Sequence, residues 1–334
     1  MSAENFLNTD LNLASYWRGL ILFGRNSASY KFAFAKALLQ LKPSGGDLLK
    51  LEDIAPVYAS SLVEHLRTTP KQNLASSSKF ISACQMYGID EPDTKKLIEE
   101  TVKLGFGDVV KAFQVLGSDT IEKKFYIDEV KSHGGIRLTD NFSVLKESKQ
   151  FDNLSTEVES RWSLVESAWG LGVTKNIIAV NRDSDDNLFF NLDPSKNRRK
   201  NITSARGALN GYQKGKCFYC KEEMKIETGS HVHVDHFLPF KLSQYFGETI
   251  NGIWNLVLAC APCNGPSGKW DRLPHSNFLQ QLKNRNEYLI SSHHPLRETL
   301  ILQTGMNAIK RNEYINDIYS KARAFLTGDW TPPK

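Results

Sequence analysis

Between Ser27 and Leu41 the apolar positions Tyr30, Phe34, Ala37, Leu38 and Leu41 recur at the spacing of one helix face laid on a core. Pro43, Ser44, Gly45 and Gly46 stop that helix. The same pattern predicts helices near 52–68, 76–87, 92–105 and 107–116, with breaks at Thr69-Pro70, Gly88, Gly105 with Gly107, and Gly117. Two pieces near 120–130 and 134–145 read as strands or an extended connection. A helix beginning at Thr156 follows, with Thr156 and Glu159 as a capping box and Val158, Trp162, Val165 and Trp169 along its apolar face. Residues 173–192 alternate around the polar turn NRDSDD and predict a hairpin. The segment from Pro194 to Tyr212 is expected as a helix, with Ile202, Ala205, Leu209 and Tyr212 on its apolar side. Beyond Pro274, two helices are expected at 276–292 and 306–326.

These elements predict a mostly α chain with a small α+β portion. Four segments follow: a helical N-terminal domain over 1–150, a helix, hairpin and basic helix over 151–213, a compact core over 214–275, and C-terminal helices over 276–334. A length of 334 residues has room for two cores, and 40% apolar with 24% charged residues is ordinary for a globular protein. No apolar run reaches the roughly 18 residues that span a bilayer. The opening MSAENFLNTD is polar and unlike a secretory leader, so the expected location is the cytoplasm. No Walker loop or helicase motif is present.

The net charge of +5 is mild, but its placement is uneven. From Pro194 to Lys216 there are seven basic residues and no acid, which is the footprint of a polyanion-binding face or of a solvated one. Of five cysteines, Cys84 lies alone in the apolar run ISACQMYG and is expected in a core. The other four form two Cys-x-x-Cys pairs, CFYC at 217–220 and CAPC at 260–263, with 39 residues between them. Each pair can reach one ion from a tight turn, and two pairs close a tetrahedron with no open position. That pattern points to a structural Zn2+ formed by Cys217, Cys220, Cys260 and Cys263.

Between and just beyond the pairs lie VDHFLP, WNLVLAC and CAPCN. With CFYC, and in this order, they resemble the HNH endonuclease family in its cysteine-stapled form, whose core is the ββα-metal fold. The resemblance covers residues 215–275 and implies a metal-dependent nuclease that acts on DNA, as a nickase or a cutter of low specificity. It implies that His236 is the general base and that Asp235 ligates a catalytic Mg2+ or Mn2+ with Asn264 as second ligand. Asn255 would pin the loop and orient His236, and Lys269 would contact phosphate. An amide at Asn264, where an imidazole is the alternative, favours hard cations over Zn2+ or Ni2+ at that second site.

Arg199, Lys200 and Arg206 are the first candidates for backbone phosphate contacts, with Lys283, Arg285 and Arg297 as further ones. The opening SYWRGLILFGRNSASYKFAFAKALL resembles HNH proteins of bacterial antiphage defence loci such as type II Zorya, so other components of a defence system join DNA as expected partners. The alternative is a zinc ribbon that binds nucleic acid without cutting it. Neither oligomeric state nor sequence preference is legible in the chain.

Overall fold

The computed structural model describes residues 3–24, 28–41, 46–73, 77–90, 92–170, 180–182, 187–193, 198–226, 231–292, 295–326 and 329–332. The chain divides into two compact units, residues 5–172 and the rest from residue 173 onward with a few N-terminal residues. Helices dominate, and the sheets are small.

In the first unit, helices Leu13–Phe23, Tyr30–Gln40, Leu51–Thr68 and Phe151–Gly170 enclose one aromatic core. Asn12 caps the first of these by accepting a hydrogen bond from the Ser15 N–H at 2.7 Å. The 92–105 expectation appears as Thr94–Leu104, capped in the same way by Asp93. The 76–87 segment is a short helix, Lys79–Cys84, continued by a π-helical stretch Gln85–Asp90. The 107–116 segment shrinks to Val109–Ala112.

The two ambiguous pieces supply strands to a three-stranded antiparallel sheet with Gly135–Leu138 in the middle, flanked by Leu48–Lys50 and Tyr126–Glu129, but the second piece then turns into a helix, Asp140–Glu147. The helix expected from Thr156 starts at Phe151 instead. Its first turn is set by Ser148, whose carbonyl accepts from the Phe151 N–H, so Glu159 is mid-helix and free of capping duty. Leu154, Val158, Trp162 and Val165 sink into the core of the first unit, which carries that unit past residue 150, where composition had placed a boundary.

In the second unit, Val180–Arg182, Asn187–Asp193 and Arg198–Ser204 form an antiparallel sheet. Of the expected hairpin, residues 173–179 and 183–186 lie outside the described residues, and Asn181 and Arg182, read as turn, are paired strand. The basic helix is not as expected: residues 198–204 are a strand paired to 187–193, residues 194–197 lie outside the described residues, and helix begins at Ala205 as Ala205–Asn210 with a 3-10 turn Gly211–Gln213 after it. A partner strand offers the backbone of RRKNITS a ladder, and the β-branched Ile202 and Thr203 favour that choice over a helix. A two-stranded ribbon follows, Val232–His236 against Leu256–Cys260. After it come a single helical turn Ala261–Asn264 and the helices Asn277–Ser291, Pro295–Thr304 and Ala308–Phe325. The middle one of these three was not foreseen. No described helix is long and apolar enough to cross a membrane.

Candidate functional site

The two Cys-x-x-Cys turns meet at one end of the ribbon. The Phe218 N–H donates to the Leu258 carbonyl at 2.9 Å, which ties the first turn to the second strand. Gln213 clamps the same residue from both sides: Leu258 N–H donates to Oε1 at 2.8 Å and Nε2 donates to the Leu258 carbonyl at 2.9 Å. The second turn grows from Cys260, at the end of that strand. As a result the sulfurs of Cys217, Cys220, Cys260 and Cys263 all lie within 4.8 Å of one another, with Cys220 and Cys260 3.7 Å apart. The four thiols can hold a metal ion, and they are the only such group of His, Cys, Asp and Glu side chains among the described residues.

Their acidities differ with their surroundings. Burial raises the Cys217 thiol, but hydrogen bonds from the backbone of Cys260, Cys220 and Tyr219 outweigh it and bring the value below the ordinary one. Burial, and then the charge of Cys217, push Cys260 up to about 11, and Cys263 rises further for the same reasons. Four thiolates this close repel one another, so all four ionise together only around a cation.

At the other end of the ribbon stand Asp235 and His236, on opposite faces of the strand because side chains alternate. Asp235 is buried. Its carboxylate accepts from the Tyr219 hydroxyl at 2.7 Å and pairs with the Lys269 ammonium at 3.1 Å. Lys269 is therefore not a surface phosphate contact: its side chain is fully buried, and its charge is spent on Asp235. Burial lowers its pKa, with Asp235 working in the opposite direction. The inward turn is made possible by Gly268, where a Cβ would collide with the carbonyl oxygens of Pro262 and Cys263. Lys269 N–H closes the loop onto the Cys263 carbonyl at 2.6 Å.

His236 is half-buried, and its Nε2 lies 3.1 Å from Asn251 Oδ1. An amide oxygen only accepts, so this contact suits a ring that carries a proton on Nε2. Asn255 is fully buried and saturated: Oδ1 accepts from Leu238 N–H at 2.8 Å, and Nδ2 donates to the carbonyls of Leu238 at 3.0 Å and Ile250 at 2.9 Å. It pins the loop that leaves His236, while the side-chain contact to the His236 ring comes from Asn251.

Asn264 ends the helical turn directly after Cys263 and is half-buried. Arg206 is half-buried near the start of the Ala205–Asn210 helix. Arg199 and Lys200 lie in the 198–204 strand, and their side chains are outside the described residues. Arg285 is buried and donates to the carbonyls of Leu256 at 2.6 Å and Trp254 at 3.1 Å, bracketing Asn255, so it is a scaffold residue and no phosphate contact.

Tyr219 and Asn251 escaped the sequence reading. Tyr219 sits inside CFYC, where only the sulfurs carry a signal. Asn251 is 15 residues from its partner His236, and nothing in the chain marks that distance.

No family model matches the chain, and neither a curated protein nor a solved structure matches it.

Proposed function

We propose that this chain is a metal-dependent DNA endonuclease with a zinc-stapled ββα-metal core of the HNH type. One observation carries the reading. Asp235 and His236 end a strand whose return loop is pinned by Asn255, while the far end of the same ribbon closes on four thiols. Zinc suits that cluster: a tetrahedral ion with Zn–S near 2.3 Å needs sulfurs about 3.8 Å apart. Cys220 and Cys260 already meet the spacing at 3.7 Å.

A second, hard cation suits Asp235 and Asn264, which offer a carboxylate and an amide oxygen. Asp235 suits this role by residue type: it is a hard carboxylate ligand on the strand beside His236. Mg2+ or Mn2+ bound there would neutralise charge on the phosphate and the departing oxygen.

The chain's own residues do the rest. His236 takes a proton from water, with its ring held in place by Asn251. Lys269 and Tyr219 fix the orientation of the Asp235 carboxylate. Asn255 keeps the loop beside His236 from drifting. One such site cuts one strand at a time, so nicking is the expected outcome. Arg199, Lys200 and Arg206 remain the candidates to grip backbone phosphates. A place in cytoplasmic antiphage defence, with partner proteins, is proposed on the resemblance of the opening segment alone.

The test incubates supercoiled plasmid with the full chain and Mg2+ or Mn2+. Wild type should convert it to open circles, and His236→Ala should slow the conversion by about 10²–10⁴-fold. A wild-type chain that binds the plasmid and leaves it intact would instead favour the zinc-ribbon binding module.

A further inference from the structure

Two large apolar rings near the Asp235-His236 strand end are not used by the chemistry above: Phe240 beside His236, and Trp270 directly after the Lys269 that pairs with Asp235. Trp270 is 57% exposed, whereas Trp17, Trp162, Trp254 and Trp330 are all buried and Trp169 is half-buried. Its backbone lies in the left-handed region, with φ at 46°. A bulky aromatic is strained there, and glycine would not be. The loop is nonetheless held in that shape. Lys269 points inward to Asp235, and the Arg272 guanidinium gathers the carbonyls of Ser267, Gly268 and Lys269. The next residue outward is Trp270. Phe240, 56% exposed, sits with its ring 5.5 Å from the His236 imidazole. An ion pair between Lys241 and Asp271, at 3.9 Å, ties the two loops together one residue away from each aromatic.

We propose that Phe240 and Trp270 form a stacking platform for unpaired bases, so that the preferred substrate is single-stranded DNA. This rests on the nuclease reading and narrows it. A flat ring accepts the face of any base, but the bases of a duplex present their faces only to one another. Two outward rings flanking a site that cuts phosphodiesters would hold a strand whose bases are splayed, with its backbone drawn across His236. Strain and exposure at Trp270 then have one cause, the ligand they serve.

The experiment titrates the full chain carrying His236→Ala, zinc-loaded and without added Mg2+, with oligothymidylate while following tryptophan emission. Trp270 is the exposed indole, so stacking should quench the emission, and a duplex of equal length should bind more weakly. Adding Trp270→Ala should abolish most of the quenching and weaken binding about ten-fold. Trp270→Tyr should restore affinity, and Phe240→Ala should weaken it by a smaller factor. An affinity unchanged by Trp270→Ala, or a duplex bound as tightly as the single strand, overturns the proposal. Binding and cutting fail separately. A strand held through Trp270 beside a plasmid left intact sinks the nuclease reading, whereas nicking with no effect of Trp270→Ala sinks the platform alone.

Discussion

In the unit spanning residues 5–172, Trp17 packs against Phe113, Phe125 and Phe142, and Phe34 against Tyr58, Phe106, Phe113 and Tyr126. Ionic groups are folded into this apolar mass. Arg18 makes a two-pronged pair with Glu157 at 2.7 and 2.8 Å. His65 lies flat on Trp162 at 3.5 Å with a carboxylate at each nitrogen, Glu166 on Nδ1 and Glu159 on Nε2. The ribbon region of the other unit is built differently. There the organising contacts are four thiols, the Gln213 clamp, the saturated Asn255 amide and the Arg285 guanidinium, each fixing backbone rather than filling volume. A large core spreads its stability over many contacts. A small scaffold held by a few polar pins and one staple does not, and it gains in return side chains aimed to within tenths of an ångström.

The contrast breaks most sharply at the staple. On the proposed zinc reading, Cys263→Ser should remove most of the metal affinity of the four thiols, which is on the order of 10 kcal/mol in small zinc domains. Amide exchange should then accelerate over the 232–260 ribbon and leave the Leu51–Thr68 helix protected. Equal loss of protection in both would show that the two units are not held independently.

Trp162→Ala is the mirror test. It removes a fully buried indole that also donates to Gln72 at 2.9 Å, and should cost about 3–5 kcal/mol in the melting of the first unit, with zinc content unchanged.

The smallest effect is one of pH. His65 is raised from 6.5 to about 9: burial opposes its charge, but the two carboxylates outweigh burial. A raised value means that the folded unit holds the proton more tightly, so this stabilisation is complete below pH 6.5 and is lost as pH climbs through about 9. The first unit's stability should fall across that window by an amount on the order of 1–3 kcal/mol, read as a drop in melting temperature, and His65→Gln should flatten the decline.

Periodicity revealed the helices Tyr30–Gln40, Leu51–Thr68 and Asn277–Ser291, since each repeats apolar residues over several turns. It failed at residues 198–204, where the local pattern suits a helix and a neighbouring strand decides otherwise. It failed again at Phe151, where a hydrogen bond to Ser148 starts a helix ahead of a plausible capping box at Thr156. In the candidate site, the thiols and the Asp235-His236 pair were legible because their residue types and spacings are rare together. Arg285, by contrast, carries the composition of a phosphate contact and the position of a scaffold.

The sequence by itself determined where a metal-grade cluster could form, because chelation by Cys-x-x-Cys is a property of a four-residue turn. It also determined which helices could bury a face. Only the tertiary structure decided which way charges point. Lys269 and Trp270 are neighbours in the chain, yet one is sealed against Asp235 and the other stands in solvent at a left-handed φ. That choice is made by Gly268 passing under two carbonyls and by Arg272 locking the loop, contacts between groups whose proximity no local pattern encodes.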